Sequence, residues 1–214
     1  EFELRYDTGD FEARGGGKLD FWQQNEDSRV DVEPQRAAQA NQPVEVDELP
    51  WQFTNVVFHG RIKGNIHKRH ATLFDRVWVT HAPVERPLQV FTRDDLSSDT
   101  VSARNGVWMG CDELSISMHR WTGRDASYVQ ILGVGRLARV ELEGHSFQAN
   151  SDTLAYDEST KLFTLRGLGE NPASVAFQDH PGAPYREQSS SQIQFNPGDR
   201  SGSIQKSRGV SGSF

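Results

Sequence analysis

The sequence predicts an all-β protein built from many short antiparallel strands. Three observations carry this. Segments that alternate apolar and polar residues recur along the whole chain, among them "FELRY", "QFTNVVF", "DRVWVTH", "DELSISMH", "ARVELEG", "SFQANSDTLAY", "KLFTLRG", "ASVAFQ" and "QIQF". Such period-two patterning is the mark of a strand with one buried face and one wet face. Gly, Pro, Asn and Asp punctuate the segments, as in "GGG", "HGRIKGN", "ENPAS", "DHPGAPY" and "NPGDRSG", and these residues favour turns. No segment carries an amphipathic helical stripe.

The N-terminal residues 1–24 read as a strand hairpin followed by a further alternating strand. Residues 25–49 change character. They include Glu26, Asp27, Asp31, Glu33, Glu45, Asp47 and Glu48 among helix formers that make no apolar face. That is the composition of an acidic linker. The main body, residues 50–214, returns to alternating strands. It is interrupted by "APVERPLQVFTRDDLSSDTVSARNG", Ala82–Gly106, which is longer than any neighbouring turn.

Bulk properties narrow the function. The chain has 214 residues, a net charge of −7 and an apolar fraction of 35%. The acidic balance lacks the basic footprint of a general nucleic-acid binder. The aromatic fraction of 10% is too rich for general disorder. An open architecture with much surface per residue fits both. Cys111 is the single cysteine, so no intramolecular disulfide can form and the redox compartment is not marked. No apolar run is long enough for a membrane-spanning helix. The chain starts at Glu1 inside a strand pattern, which reads as a piece cut from a longer protein.

Two stretches repeat one another. "LRYDTGDFEARGGG" (Leu4–Gly17) and "LAYDESTKLFTLRGLG" (Leu154–Gly169) share an apolar-x-Tyr-Asp turn, a Phe three residues before Arg, and closing glycines. Their lengths differ by an even number, so side chains keep their faces. On this reading Leu4 and Tyr6 correspond to Leu154 and Tyr156, Phe11 to Phe163, and Leu19 and Phe21 to Val175 and Phe177. A second motif, Asp-x-apolar-x-apolar, recurs at Asp75, Asp112 and Asp152, at intervals of roughly forty residues typical of repeat architectures. A carboxylate at equivalent places of a repeat is expected to bond backbone where the strand begins. Paired carboxylates for glycoside chemistry are the rival reading.

Together these residues resemble the OstA/LptA-type repeat. The pattern is carried by "ARVELEGHSFQANSDTLAYDESTKLFTLRGLG" (Ala138–Gly169). It is weaker in "GNIHKRHATLFDRVWVTHAP" (Gly64–Pro83) and "MGCDELSISMHR" (Met109–Arg120), and only half a unit appears at the N-terminus. The resemblance implies an open antiparallel β-jellyroll folded like a taco, and a periplasmic or cell-envelope location. It implies a non-catalytic role in which an apolar trough binds and relays lipopolysaccharide or another acylated lipid. It also implies neighbouring β-jellyroll modules as partners, stacked edge strand to edge strand, and no cofactor. The long insert and the acidic linker depart from the family's pattern.

Strand parity nominates the trough lining: Val77, Val79, Leu114, Ile116, Val140, Leu142, Phe147, Leu154, Tyr156, Phe163, Leu165, Val175 and Phe177. The same residues would equally fill a closed core. Arg61, Lys63, Lys68 and Arg69 form the most basic stretch and could meet lipid phosphates at a trough rim, or face solvent on an outer strand. His67, His70 and His81 lack the spacing of a metal site. Trp51, Trp78, Trp108 and Trp121 are expected to pack rather than stack on sugar. Two rival functions stand beside the carrier: a structural repeat with a filled core, and a carbohydrate-active β-solenoid enzyme using Asp75, Asp112 or Asp152.

Overall fold

The computed structural model describes residues 1–24, 51–120, 127–178 and 183–196, together with the backbone of 201–205 and 211–213. These residues form one antiparallel sheet of 17 strands. The chain is all-β, as its alternation predicts. The strands are β1 Phe2–Leu4, β2 Asp10–Arg14, β3 Gly17–Gln24, β4 Trp51–Phe58, β5 Arg61–Asn65, β6 His70–Val84 and β7 Val107–Arg120. There follow β8 Ser127–Val134, β9 Val140–Gly144, β10 Phe147–Ser151, β11 Thr153–Asp157, β12 Leu162–Arg166 and β13 Ala173–Phe177. The series ends with β14 Arg186–Ser190, β15 Gln192–Asn196, β16 Ser201–Gln205 and β17 Ser211–Ser213.

The pairings divide this sheet into two layers. Layer one runs β1, β2, β5, the first half of β6, the second half of β7, β8, β11, β12, β15, β16, β17. Layer two runs β3, β4, the second half of β6, the first half of β7, β9, β10, β13, β14. Only β6 and β7 belong to both. Elsewhere the chain makes a hairpin in one layer, turns a corner and makes a hairpin in the other. All these corners lie along one margin, which we call the spine. Along the opposite margin, the mouth, the described turns stay within their own layer. Residues 1–24 are part of this scheme, because β2 pairs with β5 and β3 with β4. The acidic linker lies outside the described residues.

Register explains why one face is apolar. In layer one, Phe11, Gly64, Ala71, Ile116, Ile131, Tyr156, Phe163 and Phe195 stand side by side across eight strands. Nearer the spine, Ala13, Ile62, Leu73, Leu114, Gly133, Leu154, Leu165 and Ile193 form a second row. Layer two answers with Leu19, Val56, Val79, Met109, Leu142, Ala149 and Val175. Side chains of both layers share one core cluster, so the layers face each other. The repeat is therefore physical. Phe11 and Phe163 share a row, as do Leu19 and Val175, and Phe21 and Phe177 share the mouth-side row of layer two. Tyr6 is the exception: β1 ends at Leu4, and Tyr6 sits in the turn at 84% exposure. Tyr156 lies within β11, its ring centroid 4.7 Å from that of Phe163.

The corners show why the Asp motif recurs. In β6 the bend between layers is a bulge, with Asp75 and Arg76 at φ 65° and 54°. The pair lies opposite the single residue Asp112 of β7, an arrangement that sharpens local bending. Asp152 separates β10 from β11 at another corner. At the next corner Gly167 is obligatory, because a Cβ there would overlap the Asn171 carbonyl oxygen and the Ala173 nitrogen. Both are backbone atoms and cannot swing aside. Gly167→Ala is expected to cost about 1–3 kcal/mol, the usual penalty of forced overlap, read as a lower urea midpoint.

Among the described residues, the insert is the one departure from strand and turn. Its described part after β6 comprises a 3-10 turn at Asp94–Ser97 and a short helix, α1 Val101–Asn105. Thr100 caps α1 by accepting a hydrogen bond from the Ala103 amide at 3.2 Å. A helix this short has no room for an apolar stripe, so periodicity did not reveal it. The insert covers the outer face of layer two. Phe91, Leu96 and Ala103 bury there against Phe53, Ala82, Val84 and Trp108, with Trp22 and Trp51 at the edge. This segment of layer two is thus apolar on both faces.

Candidate functional site

The nominated trough residues do converge between the layers, but at different depths. Val77, Leu114, Val140, Leu142, Leu154, Leu165 and Val175 are at most 2% exposed. At that exposure they touch protein on all sides, and the spine side of the interior is filled. Phe147 and Phe163 are also buried. Val79, Ile116, Tyr156 and Phe177 are only partly buried and pack at the margin of the same cluster, with Val107 and Ile131.

Four phenylalanine rings cluster at one end of the interior. Phe195 is the hub, with ring centroids 5.5 Å from Phe147, 5.5 Å from Phe163 and 5.8 Å from Phe177. Phe163 and Phe195 belong to layer one, Phe147 and Phe177 to layer two, so the cluster fastens the layers together. Phe195 is 0% exposed. It is not among the nominated residues, although "QIQF" predicts a strand. Parity within that strand would have placed it beside Ile193 on the core face.

The basic stretch does not gather at one rim. Arg61 and Lys63 lie on the outer face of layer one. The Arg61 guanidinium stands 4.8 Å over the Phe74 ring, and Lys63 pairs with Glu12 at 3.4 Å. Lys68 and Arg69 sit in the β5–β6 turn at the mouth, where Arg69 has φ 50°.

Two of the three recurrent carboxylates accept hydrogen bonds from the backbone. Asp112 Oδ2 accepts hydrogen bonds from the amides of Arg136, Leu137 and Ala138 at 2.6, 2.6 and 3.0 Å. Burial pushes the Asp112 carboxyl up, but the three amides and the Arg136 charge outweigh it and hold it below its ordinary value. Asp152 Oδ2 accepts from the Leu168 amide at 2.5 Å. The Asp75 carboxylate packs against Gly60, where a Cβ would collide with it. Asp112 and Asp152 thus each secure a neighbouring corner of the spine.

The histidines are spread over three places. His70 bonds Ser117 at 2.8 Å and Thr72 at 3.1 Å on the outer face of layer one. His81 bonds Thr54 at 2.8 Å in layer two, and burial pushes its imidazole down. His67 packs on Gly9. Among the described residues no group of His, Cys, Asp and Glu could hold a metal ion. Trp51 and Trp108 belong to the insert's core, and Trp78 is 40% exposed beside His59. Trp121 lies outside the described residues.

Cys111 faces the core at 7% exposure. Burial, with a lesser contribution from Asp112, pushes its thiol up to about 12. Only thiolate reacts readily with disulfide reagents. Native protein at pH 8 is therefore expected to resist Ellman's reagent, and to release one equivalent of colour on unfolding.

Compared with protein-family models, with curated proteins and with solved structures, this chain matches none of them.

Proposed function

We propose that this chain is a non-catalytic module that accepts acylated lipid along the mouth of its two layers. The reading rests on one observation: backbone joins the layers at the spine, whereas towards the mouth partly buried apolar residues of both layers pack against one shared cluster. An acyl chain entering there would exchange one apolar contact for another while leaving water itself. Each methylene so buried contributes about 0.8 kcal/mol. Ile116, Ile131, Tyr156, Val107 and Phe177 are the partly buried residues it would meet first. The continuous rows of layer one offer similar contacts at successive strands, which is what sliding along the module requires. A cell-envelope setting and a lipopolysaccharide-like ligand belong to the same proposal.

Native mass spectrometry and uptake of a fluorescent fatty acid test it. Bound lipid, and at least a tenfold loss of uptake in Ile131→Lys, support the reading. Lipid-free protein that takes up no probe sinks it.

A second reading is favoured by the filled spine side of the interior. There the module acts as a rigid spacer, joined to neighbouring modules through strands at the margins of layer two, such as β3. A complete absence of lipid uptake with concentration-dependent assembly would favour that reading.

A further inference from the structure

The β1–β2 turn, the β5–β6 turn and the end of β7 meet at the mouth margin of layer one. Hydrogen bonds fasten them to one another. The Ile66 amide donates to the Gly9 carbonyl at 2.9 Å, and the Met118 amide donates to the Arg69 carbonyl at 3.0 Å. Asn65 donates from its side chain to the Thr8 carbonyl at 2.9 Å and accepts from the Lys68 amide at 2.8 Å. The margin is therefore one connected tip.

This tip presents apolar and basic side chains together. Tyr6 stands out from the first turn, Ile66 is 52% exposed and Met118 is 43% exposed. Lys68, Arg69 and Arg120 are exposed beside them. Counted without histidines, residues 5–9, 66–69 and 118–120 carry four cations and one carboxylate. Glu3 pairs with Arg5 at 3.2 Å, which leaves an excess of two positive charges. The whole chain, by contrast, has a net charge of −7. Neighbouring exposed apolar side chains with a charged rim mark a contact surface.

We propose that this tip docks on the surface of an anionic lipid bilayer. A bilayer supplies an apolar layer for Ile66 and Met118 and a plane of phosphates for the cations. Tyr6 suits the boundary between them, because its ring is apolar and its hydroxyl polar. Adjacent strands about 4.8 Å apart make the tip broad enough to meet a plane. The acidic remainder of the chain does not prevent this. Screening limits charge interactions to about 8 Å at physiological salt, so the local excess decides. Docking would turn the mouth towards the membrane. It goes beyond acyl-chain uptake and does not require it.

Flotation of the whole chain with vesicles tests this. One set contains equal parts of phosphatidylglycerol and phosphatidylcholine, the other phosphatidylcholine alone. Binding is expected on the anionic set, weakened by added salt, and about tenfold or more weaker on the neutral set. Lys68→Gln and Arg69→Gln should each weaken binding about fivefold, the weight of one cation near an anionic surface. Ile66→Ser should also weaken it about fivefold, by withholding an aliphatic chain. These are exposed turn positions, so unfolding midpoints should hold. A solvatochromic label at Ile66→Cys should shift to the blue on anionic vesicles, and the same label at Leu168→Cys on the spine should not. No flotation, equal binding to neutral vesicles, or undiminished binding in all three variants would overturn the proposal. So would salt-sensitive binding with an unshifted label at position 66, since an acidic protein would satisfy the charges alone. The vesicles contain no free fatty acid, so docking and uptake fail separately.

Discussion

Replacing Phe195 with alanine is expected to lower the stability of this chain by about 3–5 kcal/mol, the usual cost of truncating a buried Phe. The position makes the upper half of that range appropriate. Phe195 is fully buried and meets rings from both layers. Its loss removes dispersion contacts on every side and opens a cavity that neighbours on two separate layers cannot jointly fill. Chemical denaturation at 25 °C measures the effect. Tyr6→Ala is the internal comparison. Tyr6 stands at the place in the first hairpin that Tyr156 occupies in the later one, yet it is 84% exposed. Its removal should change stability by less than about 0.5 kcal/mol. Equal losses at Phe195 and Tyr6 would mean that the layers do not close on each other as described.

Asp112→Ala carries the second-largest expected effect, about 2–4 kcal/mol. Three backbone amides at 136–138 lose a charged acceptor, and hydrogen bonds to charged groups contribute about 1.5–3 kcal/mol each net of water when well buried. The corner is partly exposed, so water replaces some of this and the sum is discounted. The measurable consequence is local as well as global, since the amides of Arg136, Leu137 and Ala138 should lose hydrogen-exchange protection first. Asp112→Asn keeps an acceptor but not the charge, and should fall between wild type and Asp112→Ala. The pH dependence has a definite sign. Asp112 and Asp157 are both held below their ordinary carboxylate value of 3.8. For Asp157 the Ser159 hydroxyl is the largest cause. A carboxyl whose folded value is depressed stabilises the fold fully above its unfolded value. That stability is lost as pH falls through the folded value. Acid titration should therefore destabilise wild type progressively below about pH 4, and Asp112→Asn less steeply.

Most of the strand content was legible because alternation is a local signal. "ARVELEG" and "KLFTLRG" declare their buried faces without reference to any partner, and the even length differences between the two hairpins carried that information across the repeat. The two-layer arrangement was less legible. A corner such as Gly167–Pro172 and a hairpin turn such as Glu158–Lys161 use the same turn-forming residue types, so punctuation shows where a strand ends but not which layer follows. The acyl-trough list shows the same limit. Leu154 and Tyr156 are two residues apart on one face, yet one is sealed and the other is partly open, because depth depends on partners distant in sequence. The outer core was hidden for a different reason. Phe53, Ala82 and Trp108 break the alternation of their strands by adding apolar residues on the wet face, and that surplus was the available sign that the insert covers them.

In the proposed carrier the layers stay joined at the spine and part at the mouth as lipid enters, which separates Phe195 from Phe147 and Phe177. A pair of spin labels reports this most directly, one at Thr160→Cys in the β11–β12 turn of layer one and one at Ser146→Cys in the β9–β10 turn of layer two. Buried Cys111 should remain unlabelled. Without lipid, the distance between the labels should be short and narrowly distributed. With a saturating fatty-acid probe, it should lengthen and broaden, while a label pair placed across the spine stays unchanged. An unaltered mouth distance at saturation with bound probe would contradict the account, as would equal movement at spine and mouth.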